Sequence, residues 1–177
     1  MKIGKKDLLL VIDMQNVYLP EEDWACPRIT TCIPYIKSLL SVFPQDQVIF
    51  TRFLAPREPI GIWKEYNEQN AAINENDWAN EYVAELKPFL TKENLYTKST
   101  YSCSSNPLLM KRIQEFDHIY VTGVVAECCV LSTIFTLIDM GKKVYYLQQG
   151  IAGENSDKER QVINLLQGLS PLHVEFL

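Results

Sequence analysis

The chain has 177 residues, 47% of them hydrophobic, and its 17 basic and 22 acidic side chains give a net charge of −5. This length and apolar content fit one domain with a substantial core, which we expect to span residues 1–177. The net negative charge argues against nucleic acid as a partner, because phosphate binding needs a basic surface. No apolar run reaches the length of a membrane-spanning helix, so we expect no membrane partner.

The cysteine pattern indicates reduced thiols. The five cysteines are Cys26, Cys32, Cys103, Cys128 and Cys129. The first apolar stretch is short and is closed by Asp13, which argues against a signal peptide and favours a cytoplasmic protein. There is no Cys-x-x-Cys pair, and the two histidines, His118 and His173, are far apart. The sequence therefore predicts no zinc site.

Short apolar runs predict strands over residues 7–13, 47–53, 95–97, 118–123, 143–148 and 173–177, the third being the weakest. Helical spacing predicts helices over 29–43, 107–116, 130–140 and 157–169. Strands that are apolar on both faces are typical of a covered parallel sheet. The alternation predicts an α/β fold, a three-layer α/β/α sandwich with a mostly parallel sheet of about six strands.

The segment 55–94 interrupts this alternation. It is acidic and rich in asparagine, and it carries Trp63, Tyr66 and Trp78, with a short helix that Asp77 could cap. We expect it to pass over one edge of the sheet, as a lid or as a subunit contact.

Chemically useful residues follow three of the predicted strands. Asp13 ends the first strand, Lys98 follows 95–97, and the Cys128-Cys129 pair follows 118–123. Ligands of open parallel sheets bind beyond the carboxyl ends of the strands, so these side chains would share one crevice if their strands are neighbours. A carboxylate could then take the thiol proton, an ammonium could stabilise negative charge, and the thiolate could attack.

Each of these residues also has an ordinary structural interpretation. Asp13 could cap a turn, Lys98 could be solvated, and a buried cysteine could pack as a small apolar side chain. The segment 122–130 favours the chemical interpretation, because a cysteine in a first helical turn has a lowered pKa and faces amides that can bind an oxyanion. The segment lacks the Gly-x-Gly-x-x-Gly spacing of a dinucleotide site.

Three blocks resemble the isochorismatase-like cysteine hydrolases, a family that includes nicotinamidases and related amidohydrolases. Asp13-Met14-Gln15-Asn16 is similar to its Asp-x-Gln-Asn signature, and Lys98, followed by Tyr101-Ser102, is similar to its lysine block. The segment 123–130 resembles its Gly-φ-x-[Thr/Ala]-[Asp/Glu]-x-Cys-Val pattern. The order and spacing match over essentially the whole chain, and the family's Rossmann-like fold agrees with the strand pattern.

The resemblance implies a catalytic triad of Asp13, Lys98 and Cys129, with Cys128 as a core or pocket-wall residue. It further implies a cis peptide between Val125 and Ala126, and an oxyanion hole formed by the amides of Ala126 and Cys129.

Substrate-binding candidates are Gln15 and the aromatic residues Phe53, Trp63 and Tyr101, although aromatic residues at such positions commonly belong to the core. Nicotinamidases carry an Asp-x-His-x-x-x-His metal site after the second strand, and this chain has no histidine before His118. We therefore expect no metal and do not expect nicotinamidase activity itself.

The resemblance implies a cysteine-dependent hydrolase that cleaves a small amide-like or other C–N substrate through a thioester. The expected partners are a small-molecule substrate and other copies of the chain in a homo-oligomer, and no organic cofactor is needed. Two alternatives remain open. One is isochorismatase-type vinyl-ether hydrolysis, which would use the acid without the thiol, and the other is a non-catalytic binding protein on the same fold.

Overall fold

A computed structural model describes residues 2–177, so the first residue of the predicted domain lies outside it. Six strands form one parallel sheet in the order β3-β2-β1-β4-β5-β6. The strands are β1 (Asp7–Ile12), β2 (Val48–Phe53), β3 (Leu95–Lys98), β4 (His118–Gly123), β5 (Lys143–Ile151) and β6 (Val174–Phe176). The predicted α/β fold is confirmed. The largest difference among the strands is at β5, which runs three residues past its predicted end, where its pairing with β4 shifts register. The helices predicted over 29–43 and 107–116 each end three residues before their predicted ends, at Leu40 and Ile113.

Within the described residues, seven α-helices accompany the sheet: α1 (Ile29–Leu40), α2 (Trp63–Gln69), α3 (Ala71–Asn74), α4 (Asp77–Asn80), α5 (Pro107–Ile113), α6 (Leu131–Asp139) and α7 (Ser156–Gln167). A π-helical turn, Ala126–Val130, leads into α6. Local chemistry explains several boundaries. The Asn106 side chain caps α5 by accepting from an amide of its first turn, and Gly141, with φ of +75°, follows α6. Helix α4 is capped by Asn76 and not by Asp77, which is its first residue.

The central strand β1 divides the core into two layers. All six of its residues are buried, and successive side chains point to opposite faces of the sheet. Leu9 and Val11 pack with the buried face of α1, whereas Leu8 and Leu10 pack with α5, α6 and α7. Each fully buried aliphatic side chain stabilises the fold by about 1.5–3 kcal/mol, which holds the helices against both faces.

The strand order creates a crevice at the carboxyl end of the sheet. The chain proceeds from β1 to β2 and β3 on one side, and then resumes at β4 on the other side of β1. Such a reversal of strand order leaves room for a ligand between the loops that follow the two central strands. Asp13 leaves β1 with φ of +51°, a left-handed conformation that aspartate tolerates better than most residues.

The segment 55–94 connects β2 to the edge strand β3 and folds over the carboxyl end of β1. It carries α2, α3 and α4, and it is tied to the loop after β1 by backbone hydrogen bonds from Asn16 to Glu81 and from Val83 to Met14. Among the described residues, none of the helices combines the length and the apolar character that crossing a membrane would need.

The contact between β1 and β4 requires a residue without a side chain at Gly123. Its φ is +110°, and a Cβ there would lie 2.0 Å from the carbonyl oxygen of Ile12. Gly141 also has a positive φ, but a Cβ there would meet no atom within 4 Å.

We therefore expect Gly123→Ala to cost more than about 3 kcal/mol of unfolding free energy or to prevent folding, because backbone atoms cannot move aside cheaply. Gly141→Ala is the matched control and carries only the conformational cost of about 1–2 kcal/mol. Urea unfolding of the two variants measures the difference. Equal losses would contradict the close approach of β4 to β1.

Candidate active site

Three side chains from different strand ends meet in the crevice. The Lys98 Nζ lies 2.7 Å from the Asp13 Oδ2 and donates a hydrogen bond to the Cys129 Sγ at 3.3 Å. Asp13 follows β1, Lys98 is the last residue of β3, and Cys129 lies in the π-helical turn after β4. The three residues that the sequence places at strand ends are therefore in direct contact, although they are far apart along the chain.

The Lys98 ammonium has further partners besides Asp13 and Cys129. It also donates a hydrogen bond, at 3.0 Å, to the carbonyl oxygen of Thr100, and it lies 5.4 Å from the centre of the Phe53 ring. Its side chain is fully buried. An unpaired charge would be very costly at such a position, so the carboxylate and the thiol account for the presence of a lysine here.

Asp13 is held by β2 as well as by Lys98. The Thr51 hydroxyl donates to the Asp13 Oδ1 at 2.7 Å, and the Asp13 amide donates to the carbonyl oxygen of Thr51. The Oδ2 atom forms the ion pair with Lys98 and has no other hydrogen-bond partner within residues 2–177. Sequence reasoning missed Thr51, although pairing of β1 with β2, which sets Ile12 opposite Thr51, would have indicated it.

The surroundings of Cys129 favour the neutral thiol in the resting site. Burial raises the pKa of the Cys129 thiol to about 12; Lys98 lowers it and Asp13 raises it, but burial has the largest effect. Burial lowers the pKa of Lys98, but the raising effects of Asp13 and Cys129 together outweigh it, so the pKa is raised above its usual value. The expectation of a lowered cysteine pKa is therefore wrong for this state, because desolvation outweighs the lysine.

The structure corrects the turn that precedes Cys129. The cis peptide joins Val124 to Val125, one bond earlier than predicted. The Ala126 amide donates to the carbonyl oxygen of Ala152 at 2.9 Å, which extends the pairing of β4 with β5, so it cannot also bind an oxyanion. The Val125 amide has no hydrogen-bond acceptor within residues 2–177, and it replaces Ala126 as the candidate donor beside the Cys129 amide.

Gln15 does not contact the cavity, contrary to its prediction as a substrate-binding residue. Its side-chain amide donates to the carbonyl oxygens of Phe53 and Asn80, and its Oε1 accepts from the Phe53 amide at 2.7 Å. Gln15 is also buried, and both ends of its side chain are engaged with backbone groups. It joins the end of β2 to the segment 55–94, which is a structural role.

A cavity of about 410 Å³ opens beside Cys129. Cys128 was expected to be a core or a pocket-wall residue, and it lies in the wall of this cavity. Tyr101 also lines the cavity, as expected of a substrate-binding residue. Phe53 and Trp63 do not line it. They pack behind the aromatic residues of the cavity wall, and the Trp63 and Tyr101 ring centres are 5.1 Å apart.

Several lining residues were not found by sequence reasoning. They are Tyr18, Glu22, Asp23, Trp24, Tyr66, Glu154 and Lys158. Most of them lie in irregular loops, where no periodicity predicts the direction of a side chain.

Residues 7–173 match the sequence model of the Isochorismatase domain. No curated protein matches the sequence. The fold is similar to a cysteine hydrolase from Pseudomonas syringae, with 19% identity, a TM-score of 0.77 and coverage of 99% of this chain and 90% of that chain. It is also similar to a pyrazinamidase of Pyrococcus horikoshii in complex with zinc, with 18% identity and a TM-score of 0.73. A nicotinamidase from Bacillus subtilis is similar too, with 17% identity and a TM-score of 0.74. Each of these two comparisons covers 97% of this chain and 98% of the other chain. At these identities the similarity shows the fold alone.

The residues present do not fit the zinc that the Pyrococcus protein holds. After β2 the chain continues Leu54-Ala55-Pro56-Arg57, which offers no imidazole or carboxylate ligand. Within residues 2–177, no three histidine, cysteine, aspartate or glutamate side chains are grouped so that they could hold a metal ion.

The raised pKa of Cys129 predicts a steep pH dependence of its alkylation by iodoacetamide. Because the thiolate is the reactive form, the rate should increase about tenfold per pH unit from about pH 7 to about pH 10, without a plateau. Site-resolved mass spectrometry measures the rate in a Cys128→Ser background. Lys98→Met removes the cation that lowers the pKa, so its alkylation should be slower at every pH. A plateau below about pH 9 would contradict the neutral resting thiol.

Proposed function

The chain belongs to the isochorismatase family, whose domain covers residues 7–173, and we propose that this isochorismatase-like hydrolase cleaves a C–N bond of a small amide-like substrate through a thioester on Cys129. The observation that carries the proposal is the contact of one buried ammonium with both a carboxylate and a thiol, at the wall of a cavity. A nucleophile, a proton acceptor and a counter-charge are the parts that covalent catalysis by cysteine requires.

In the first half-reaction, the Asp13 carboxylate accepts the Cys129 proton as the sulfur attacks the substrate carbonyl carbon. The new S–C bond converts the carbonyl into a tetrahedral oxyanion. This oxyanion collapses, the C–N bond breaks, and the leaving amine takes the proton from Asp13. The products of this step are an acyl-Cys129 thioester and a free amine or ammonia.

In the second half-reaction, water replaces the amine in the cavity. Asp13 accepts a proton from the water as its oxygen attacks the thioester carbon. Collapse of this second intermediate breaks the S–C bond and releases a carboxylic acid, and the thiolate recovers its proton from Asp13. Lys98 stabilises the negative charge on the carboxylate or on the sulfur in each step, because its ammonium contacts both.

The oxyanion needs donors that are not otherwise engaged. The Val125 amide meets this condition, since no residue within 2–177 accepts a hydrogen bond from it. Together with the Cys129 amide it would stabilise the oxyanion from fixed backbone positions, which removes the cost of reorganising solvent.

A Cys129→Ala variant separates this mechanism from vinyl-ether hydrolysis, which would need only the acid. We expect Cys129→Ala to reduce ammonia release by at least about 10³-fold, because no acyl-enzyme can form. Cys128→Ala is the matched control, and it should retain most of the activity. The measurement is ammonia release over a panel of small amides, ureides and carbamoyl compounds.

Intact-mass spectrometry during turnover should detect the acyl adduct on Cys129 in the wild type and none in Cys129→Ala. Full activity of Cys129→Ala would contradict the thioester mechanism and favour the acid-only reaction. An adduct on Cys128 would contradict the assignment of the nucleophile.

A further inference from the structure

The cavity beside Cys129 has an excess of negative charge. Among residues 2–177, four carboxylates and a single ammonium, that of Lys158, line it. The carboxylates belong to Glu22, Asp23, Glu127 and Glu154. The catalytic pair contributes no net charge, because Asp13 and Lys98 neutralise each other at 2.7 Å.

The single ammonium of the wall is already occupied. Lys158 donates a hydrogen bond to Glu154 and lies 4.0 Å from the Glu127 Oε1. The other carboxylate oxygen of Glu127, Oε2, is buried and accepts no hydrogen bond within residues 2–177. Glu22 and Asp23 form no ion pair with any residue in the same range. At least two full negative charges of the wall are therefore without a counter-charge.

Aromatic rings form another part of the same wall. Tyr66 lies 6.5 Å from Trp24 and 6.3 Å from Tyr101, measured between ring centres, and all three residues line the cavity. An aromatic face attracts a cation through its quadrupole, and the attraction is stronger where the cation is partly removed from water. Aromatic rings and unpaired carboxylates at one cavity favour the same kind of ligand.

We propose that the substrate is a small amide that carries a cationic group, an ammonium or a guanidinium, separated from the C–N bond that is cleaved. This inference rests on the proposed amide hydrolysis. The cationic group would lie against the Trp24 and Tyr66 rings near Glu22 and Asp23, while the carbonyl carbon lies at the Cys129 sulfur. A negative cavity concentrates such a substrate and repels an anionic one, and salt screens both effects.

The first arm of the test compares three amides of similar length: β-alaninamide, which is cationic, butanamide, which is neutral, and succinamate, which is anionic. We expect kcat/KM for ammonia release to be about tenfold higher for β-alaninamide than for butanamide, and lowest for succinamate. Added salt should reduce the preference. Equal values for the three amides, or a preference for succinamate, would overturn the inference and leave the proposed hydrolysis standing.

The second arm does not depend on turnover. In a Cys128→Ser background, aminoethyl methanethiosulfonate, a cation, should modify Cys129 about tenfold faster than sulfonatoethyl methanethiosulfonate, an anion, measured by site-resolved mass spectrometry. Equal or reversed rates would overturn the inference. If none of the three amides is hydrolysed but the cationic reagent is preferred, the cation preference stands and the result counts against amide hydrolysis.

A double variant identifies the source of the preference. Glu22→Gln combined with Asp23→Asn should abolish most of the preference for the cation, both in kcat/KM and in the rate of thiol modification, since these carboxylates have no counter-charge. The matched control is Asp46→Asn with Glu93→Gln, which removes the same charge from another cavity, at the opposite end of the sheet. An unchanged preference in the first variant, or an equal loss in the control, would overturn the assignment of the cation site.

Discussion

The buried contact of the Lys98 ammonium with the Asp13 carboxylate and the Cys129 thiol is the interaction on which the rest of this structure depends. An ammonium whose side chain is fully buried is tolerated only where acceptors surround it, and here a carboxylate, a sulfur and a carbonyl oxygen do so. These partners come from separate strand ends. The site therefore forms only when β1, β3 and β4 occupy their places in the sheet. The Lys98 charge thus contributes both to the stability of the fold and to the chemistry of the site.

The same burial determines how the chemistry has to proceed. Burial raises the pKa of the Cys129 thiol, which favours its protonated form before the substrate is attacked. The proton must leave as the sulfur attacks, and Asp13 is the group positioned to accept it. Thr51 holds the other carboxylate oxygen, which leaves Oδ2 directed at the reacting pair. Outside this neutral centre the cavity wall is acidic and aromatic, so recognition and bond cleavage are served by different sets of residues.

The fold was predictable because it depends on signals that act locally. Apolar runs gave the strands to within a few residues, and Asn106 and Gly141 fixed helix ends. The three site residues were predictable from their positions at strand ends and from the family resemblance. The predictions that were wrong depended on contacts between distant segments. Gln15 was predicted as a ligand contact, but it bonds backbone groups of two other segments. The Ala126 amide was predicted to bind the oxyanion, but it donates to the carbonyl oxygen of Ala152, a partner that no local pattern reveals. The Val125 amide is the one without an acceptor among residues 2–177.

A double-mutant cycle on the free energy of unfolding tests the central claim most directly. Asp13→Asn and Lys98→Met should each cost about 3–5 kcal/mol in urea unfolding near neutral pH, because each leaves its buried partner without a counter-charge. The double variant should be no less stable than either single variant, since it buries no unpaired charge. Losses that add to within about 0.5 kcal/mol would contradict the account, because the two groups would then act independently.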